Sequence, residues 1–121
     1  MKYLSVNQLK DVSFPDAPVS NFTIDEDKGR VSFVSDAFVG SNPGGFWCDD
    51  SLVEISDFSS LEITDEDSRK ILHFNPNLAL REICEFTFGD DLLIIKGFSK
   101  GGLWTEFKFY NPNLVVSYEE D

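Results

Sequence analysis

Apolar residues in this chain recur at every second position. That is the period of a β-strand resting one face on a core, and not the 3.6-residue period of a helix. In Arg30–Val39 the odd positions Val31, Phe33, Ala37 and Val39 are apolar, with Ser35 the one interruption. Residues 82–88 set Cys84, Phe86 and Phe88 against Ile83, Glu85 and Thr87. Residues 103–110 set Leu103, Thr105, Phe107 and Phe109 against Trp104, Glu106, Lys108 and Tyr110. Alternation of this kind predicts half-buried strands of an antiparallel sheet. Leu92-Leu93-Ile94-Ile95 is continuously apolar and predicts a strand covered on both faces.

Turn chemistry falls between these runs. Asp25-Glu26-Asp27-Lys28-Gly29 separates two strands, and Gly29 can supply the positive φ that closes a hairpin. Gly89-Asp90-Asp91 and Ser99-Lys100-Gly101-Gly102 punctuate a three-strand meander, and residues 40–45 form the longest irregular loop. Phe74-Asn75-Pro76-Asn77-Leu78 recurs as Tyr110-Asn111-Pro112-Asn113-Leu114, and both copies predict tight turns by shared Asn-Pro chemistry rather than a structural repeat. Helical signal is confined to residues 64–70, with a hydroxyl cap and acids before bases, and to a turn around residues 6–12. The expectation is one all-β domain over residues 1–121. It would be an antiparallel β-sandwich or half-open barrel of seven to nine strands, with one or two short helical turns.

Charge narrows the partners. With 22 acidic and 10 basic residues among 121, the formal net charge is −12, so nucleic acid and anionic membrane surfaces would repel the chain. A hydrophobic content of 41% with twelve Phe supports a packed core. No stretch reaches the run of about 20 apolar residues that a membrane-spanning helix needs. No apolar signal core opens the sequence, so a soluble cytoplasmic chain with two reduced thiols, Cys48 and Cys84, is expected.

The inventory of reactive groups is poor. His73 is the single histidine, set in an apolar run with no nucleophile motif beside either cysteine, and reads as structural. One His and two distant Cys assemble no zinc site of familiar spacing, and the acidic clusters do not match the twelve-residue calcium loop. Asp25-Glu26-Asp27 and Asp90-Asp91 read as solvated turns. The glycines of residues 40–45 and 100–102 lack the context of a phosphate-binding loop. No catalytic residue, metal ligand or cofactor is therefore assigned.

Residues 44–50, Gly-Gly-Phe-Trp-Cys-Asp-Asp, are different in kind, placing bulky aromatics beside carboxylates. Trp47 with Asp49, Asp50 and Glu54 is the leading candidate for contact with a basic protein, although Phe46 and Trp47 read equally well as core residues opening a strand. Strict alternation sets Asp50, Leu52 and Glu54 on one face and Asp49, Ser51 and Val53 on the other. Trp104 with Glu106 is the second candidate.

In size, acidity, cytosolic character and lack of catalytic machinery, the whole chain resembles the immunity proteins that bacteria make against their own secreted toxins. Those of contact-dependent inhibition and polymorphic toxin loci are the most similar. The resemblance rests on general character and carries no motif, hence no residue role. It implies a stoichiometric complex with one cognate toxin domain, often a basic nuclease whose active site is blocked, with the immunity protein itself a monomer or weak homodimer. Two other readings fit the same charge. A DNA-mimic inhibitor of a nuclease or restriction enzyme would need its acids in paired rows at duplex-like spacing. A small acidic binding or assembly module would need neither.

Overall fold

The computed structural model describes residues 1–40, 44–89 and 91–119. Ser41, Asn42 and Pro43 of the expected loop, Asp90 of the expected Gly89-Asp90-Asp91 turn, and Glu120 and Asp121 lie outside that set. In chain order the strands are β1 (Lys2–Tyr3), β2 (Val12–Ser13), β3 (Ala17–Asp25), β4 (Arg30–Val39), β5 (Phe46–Ser56) and β6 (Ser60–Asp65). They continue with β7 (Ile71–Leu72), β8 (Leu80–Phe88), β9 (Leu92–Ser99), β10 (Trp104–Tyr110) and β11 (Asn113–Tyr118). The protein is all-β and every pairing is antiparallel.

The strands form one open sheet in the order β1-β11-β5-β4-β3-β8-β9-β10-β6-β7, with β2 continuing the edge of β4 where β3 turns away. The joint is β3. Its first residues, Ala17 and Pro18, pair with β8, while the stretch from Val19 to Asp25 pairs with β4. Around this joint the sheet curls so that the inner faces of both halves share one core, in which Phe14, Phe33, Val53 and Ile55 meet Ile83, Leu93, Phe107 and Phe109. Phe22 spans the joint, its ring 6.0 Å from Phe33 on one side and 5.8 Å from Phe107 on the other. The end strands β1 and β7 are two residues each, and edges so short offer little ladder to a passing chain.

Alternation holds where the register is unbroken. In β4 every odd position from Val31 to Val39 is buried, including Ser35, whose hydroxyl donates to the Pro18 carbonyl at 2.8 Å. A polar group in the core is tolerated when it is bonded in this way. Ser51 does the same in β5, donating to the Ser35 carbonyl at 2.6 Å. In β10, Thr105, Phe107 and Phe109 are buried; Leu103, expected on that face, lies before the strand and is exposed.

Several expectations are corrected. Leu92-Leu93-Ile94-Ile95 is not covered on both faces, for Leu93 and Ile95 are buried but Leu92 and Ile94 only half-buried. Residues 64–70 do not start a helix. Thr64 and Asp65 end β6, and the Asp65 carboxylate accepts from the backbone N–H of Asp67 and Ser68. That local bond offers the backbone a turn in place of a costly helix nucleus. The other expected turn is present as a single helical turn, Val6–Leu9, closed by a reciprocal bond pair between Ser5 and Gln8. The two Asn-Pro segments adopt different turns: Asn75 caps a 3₁₀ turn at Pro76–Leu78, whereas Asn111 takes φ +55° between β10 and β11. Gly29 closes the β3–β4 hairpin at φ +62° as its sequence context predicts.

Candidate protein-binding face

The outer face of β4 and β5 is built as a ladder of rungs. Phe38 lies opposite Trp47, Val34 opposite Leu52, and Ser32 opposite Glu54. Between the first two rungs the register shifts, so that Ser35 pairs with Ser51 but Ala37 pairs with Cys48. The extra residue of this β-bulge falls at Asp49-Asp50, and Asp50 takes the left-handed φ of +50° that Asp tolerates better than most side chains. Asp36, on the facing strand, accepts a hydrogen bond from the Asp50 backbone N–H at 2.8 Å.

The bulge changes which way the side chains point. Cys48 is buried below it and Ser51, Val53 and Ile55 above it, so both Asp49 and Asp50 face solvent. The expected split of Asp49 onto the face of Ser51 and Val53 is thereby corrected. Trp47, which strict alternation would also send inward with Val53, is instead 55% exposed. Its indole sits 5.1 Å from the Phe38 ring at an angle of 60°. The core reading of Trp47 is overturned, and Phe46 beside it is exposed as well.

The other sequence-chosen residues are placed differently. Glu54 is half-buried and ion-paired with Arg30 at 3.3 Å, which partly spends its charge. Trp104 and Glu106 lie on the far half of the sheet. The Trp104 ring packs 5.0 Å from Phe98, and Glu106 is held at 3.6 Å by both Lys96 and Lys108 with its side chain only 13% exposed. Glu66 reaches the same Lys96 at 3.5 Å. The structure brings Trp47, Asp49 and Asp50 together on one face and sets Trp104 and Glu106 in an internally neutralised cluster elsewhere. Asp36 is the member that sequence reasoning missed, since only strand pairing puts it beside residues 49 and 50.

His73 is exposed and borders a hollow walled by Ile24, Phe58, Leu61 and Phe74, with Glu26 as the other ionisable group and no hydroxyl or thiol among the lining residues. Cys84 departs from expectation. A second bulge, between Ile83 and Glu85, takes it off the core face set by Phe86 and leaves it half-buried. Its thiol converges with the carboxylates of Asp16 and Glu82, their ligand atoms within 4.8 Å of one another. Partial burial, a hydrogen bond to Asp16 and the negative fields of Glu82, Asp16 and Glu85 push the thiol from 9.0 up to about 11. Two carboxylates and a protonated thiol fall short of the four donors of a closed zinc site, so the cluster carries no metal assignment. Burial, then the charge of Asp49, raises Cys48 as well.

These shifts make a measurable prediction. Alkylation of Cys84 by iodoacetamide should be much slower at pH 8 than that of an ordinary exposed cysteine, and should rise steeply only as pH approaches 11, because the thiolate is the nucleophile. Since the folded state holds the proton more tightly, its stabilising effect is fully present below about pH 9 and is lost as pH rises through 11. Fast labelling at neutral pH would contradict the placement of Asp16 and Glu82 around the thiol.

No protein-family model, curated protein or solved structure matches this chain.

Proposed function

We propose that the protein is a stoichiometric inhibitor of the immunity type, which binds a basic toxin domain, such as a nuclease, and blocks its active site. The observation that supports this most is the exposed Trp47 standing one rung from Asp36, Asp49 and Asp50 on a chain of net charge −12. An aromatic anchor ringed by carboxylates suits a nucleic-acid-binding cleft, whose positive field steers encounter while the indole supplies the desolvated contact that slows release. The two thiols held protonated and the isolated His73 fit a role in binding better than one in nucleophilic chemistry.

The test is co-expression in a bacterial host with the toxin domain encoded beside this chain in its source genome. Restored growth and an equimolar complex on gel filtration are expected; a toxin domain that kills equally with and without the chain would defeat the reading. In the complex, Trp47→Ala should raise the dissociation rate by a hot-spot amount, about 2 kcal/mol or more. Asp49→Asn together with Asp50→Asn should instead slow association and flatten its salt dependence, since exposed charge is what steers. Asn is chosen at position 50 because it keeps the left-handed backbone comfortable.

A further inference from the structure

Trp47 is not an isolated bump. Its ring and that of Phe38 form two walls of a surface groove completed by Pro15 and Gly45. Gly45 is required there, because a Cβ at that position would run into the Phe38 ring and the Val39 carbonyl oxygen. The groove is thus apolar and aromatic on its sides, and the acidic rung follows the Phe38–Trp47 rung along the strands. Two residues of extended chain cover about 7 Å, which is the distance over which the surface changes from aromatic rings to the carboxylates of Asp36, Asp49 and Asp50. Arg30 pairs with Glu54 farther along the same face, and on the other half of the sheet Lys96 pairs with Glu66 and Glu106, and Lys108 with Glu106.

One side chain matches both halves of this surface. Arginine carries a planar, weakly hydrated guanidinium that stacks on aromatic faces, and its fork of N–H donors fits carboxylates. Lysine has the charge but a compact, strongly hydrated head and no plane to stack. We propose that the groove bounded by Pro15, Phe38, Gly45 and Trp47 receives an arginine of a basic partner protein, stacked on the indole with its N–H groups turned to Asp49 and Asp50. This rests on the reading of the β4–β5 face as the binding surface and names the residue type that the face selects.

The probe is a short peptide, acetyl-Gly-Arg-Gly-Arg-Gly-amide, with lysine and citrulline versions as controls, titrated into the intact protein. Indole N–H resonances report the contact, with Trp47 and Trp104 told apart by a Trp47→Phe variant. The arginine peptide should shift the Trp47 signal in a saturable way, and the lysine peptide should bind at least about 5-fold more weakly. Citrulline, which keeps the plane and loses the charge, should give no saturable shift. Asp49→Asn with Asp50→Asn should weaken the arginine peptide about 10-fold while leaving the melting temperature within the range of other surface changes. Equal shifts from arginine and citrulline, a response confined to Trp104, or an unchanged affinity in the double Asn variant would each overturn the proposal. Failure here is separable from failure of the inhibitor reading. A chain that neutralises its toxin but ignores the arginine peptide loses only the groove assignment, and one that binds the peptide but protects nothing loses only the inhibitor reading.

Discussion

Phe33→Ala is expected to lower folding stability by about 3–5 kcal/mol, the cost of emptying an aromatic side chain from a packed interior. Phe33 is fully buried at the centre of β4, with Phe14 at 6.4 Å edge-on and Phe22 at 6.0 Å stacked against it. Phe14 in turn lies 4.7 Å from Phe86 on the opposite half of the sheet, and Phe22 reaches Phe107. The cavity therefore opens at the seam where the two halves meet, and neither half can collapse into it without leaving the other. Small domains are stable by only about 5–15 kcal/mol in total, so the variant should be partly unfolded near physiological temperature. Phe33→Leu keeps most of the volume and should cost less than half as much. Urea unfolding followed by circular dichroism measures both, and a loss below about 1 kcal/mol for the alanine variant would mean the ring is not where the two halves join.

The second large effect comes from adding a single methyl group. Gly97→Ala should cost at least about 3 kcal/mol and in many preparations yield insoluble protein, because overpacking against backbone has no rotamer to escape into. Gly97 lies in β9 between Ile83 of β8 and Thr105 of β10. A Cβ there would overlap the Glu82 carbonyl oxygen and press on the Cα of Ile83. On β8 the register shifts on both sides of this contact, between Leu80 and Glu82 and between Ile83 and Glu85. Gly29→Ala and Gly102→Ala are the controls. Both sit at positive φ with open space around the missing Cβ, so they should lose only the left-handed backbone penalty of about 1–2 kcal/mol. If Gly97→Ala melts no lower than these, the close approach of β8 and β9 is wrong.

The surface chemistry adds its own constraint on how such variants are read. Trp47 belongs to no core cluster, so its truncation tests binding without the volume loss that makes Phe33→Ala a folding variant. Trp104 would be a poorer probe, since it packs on Phe98 and stands beside the Lys96–Glu106–Lys108 network. Changing it perturbs the sheet as well as the face.

The period-two pattern by itself determined the class of fold, the strands β4, β8, β9 and β10, and the meander that joins the last three. The reason is that alternation reports directly which side chains of an extended chain share a buried face. Composition determined the net charge of −12, and adjacency along the chain picked out Trp47, Asp49 and Asp50. Tertiary structure alone decided where alternation fails. The bulges at Asp49-Asp50 and at Cys84 arise from strand pairing, since an extra residue on one strand is defined only against the strand opposite. That is why Trp47 turns outward and why Cys84 leaves the core face. It is also why Asp36, distant from residues 49 and 50 in sequence, stands beside them: β4 and β5 are antiparallel, and their register carries side chains together that no local pattern connects.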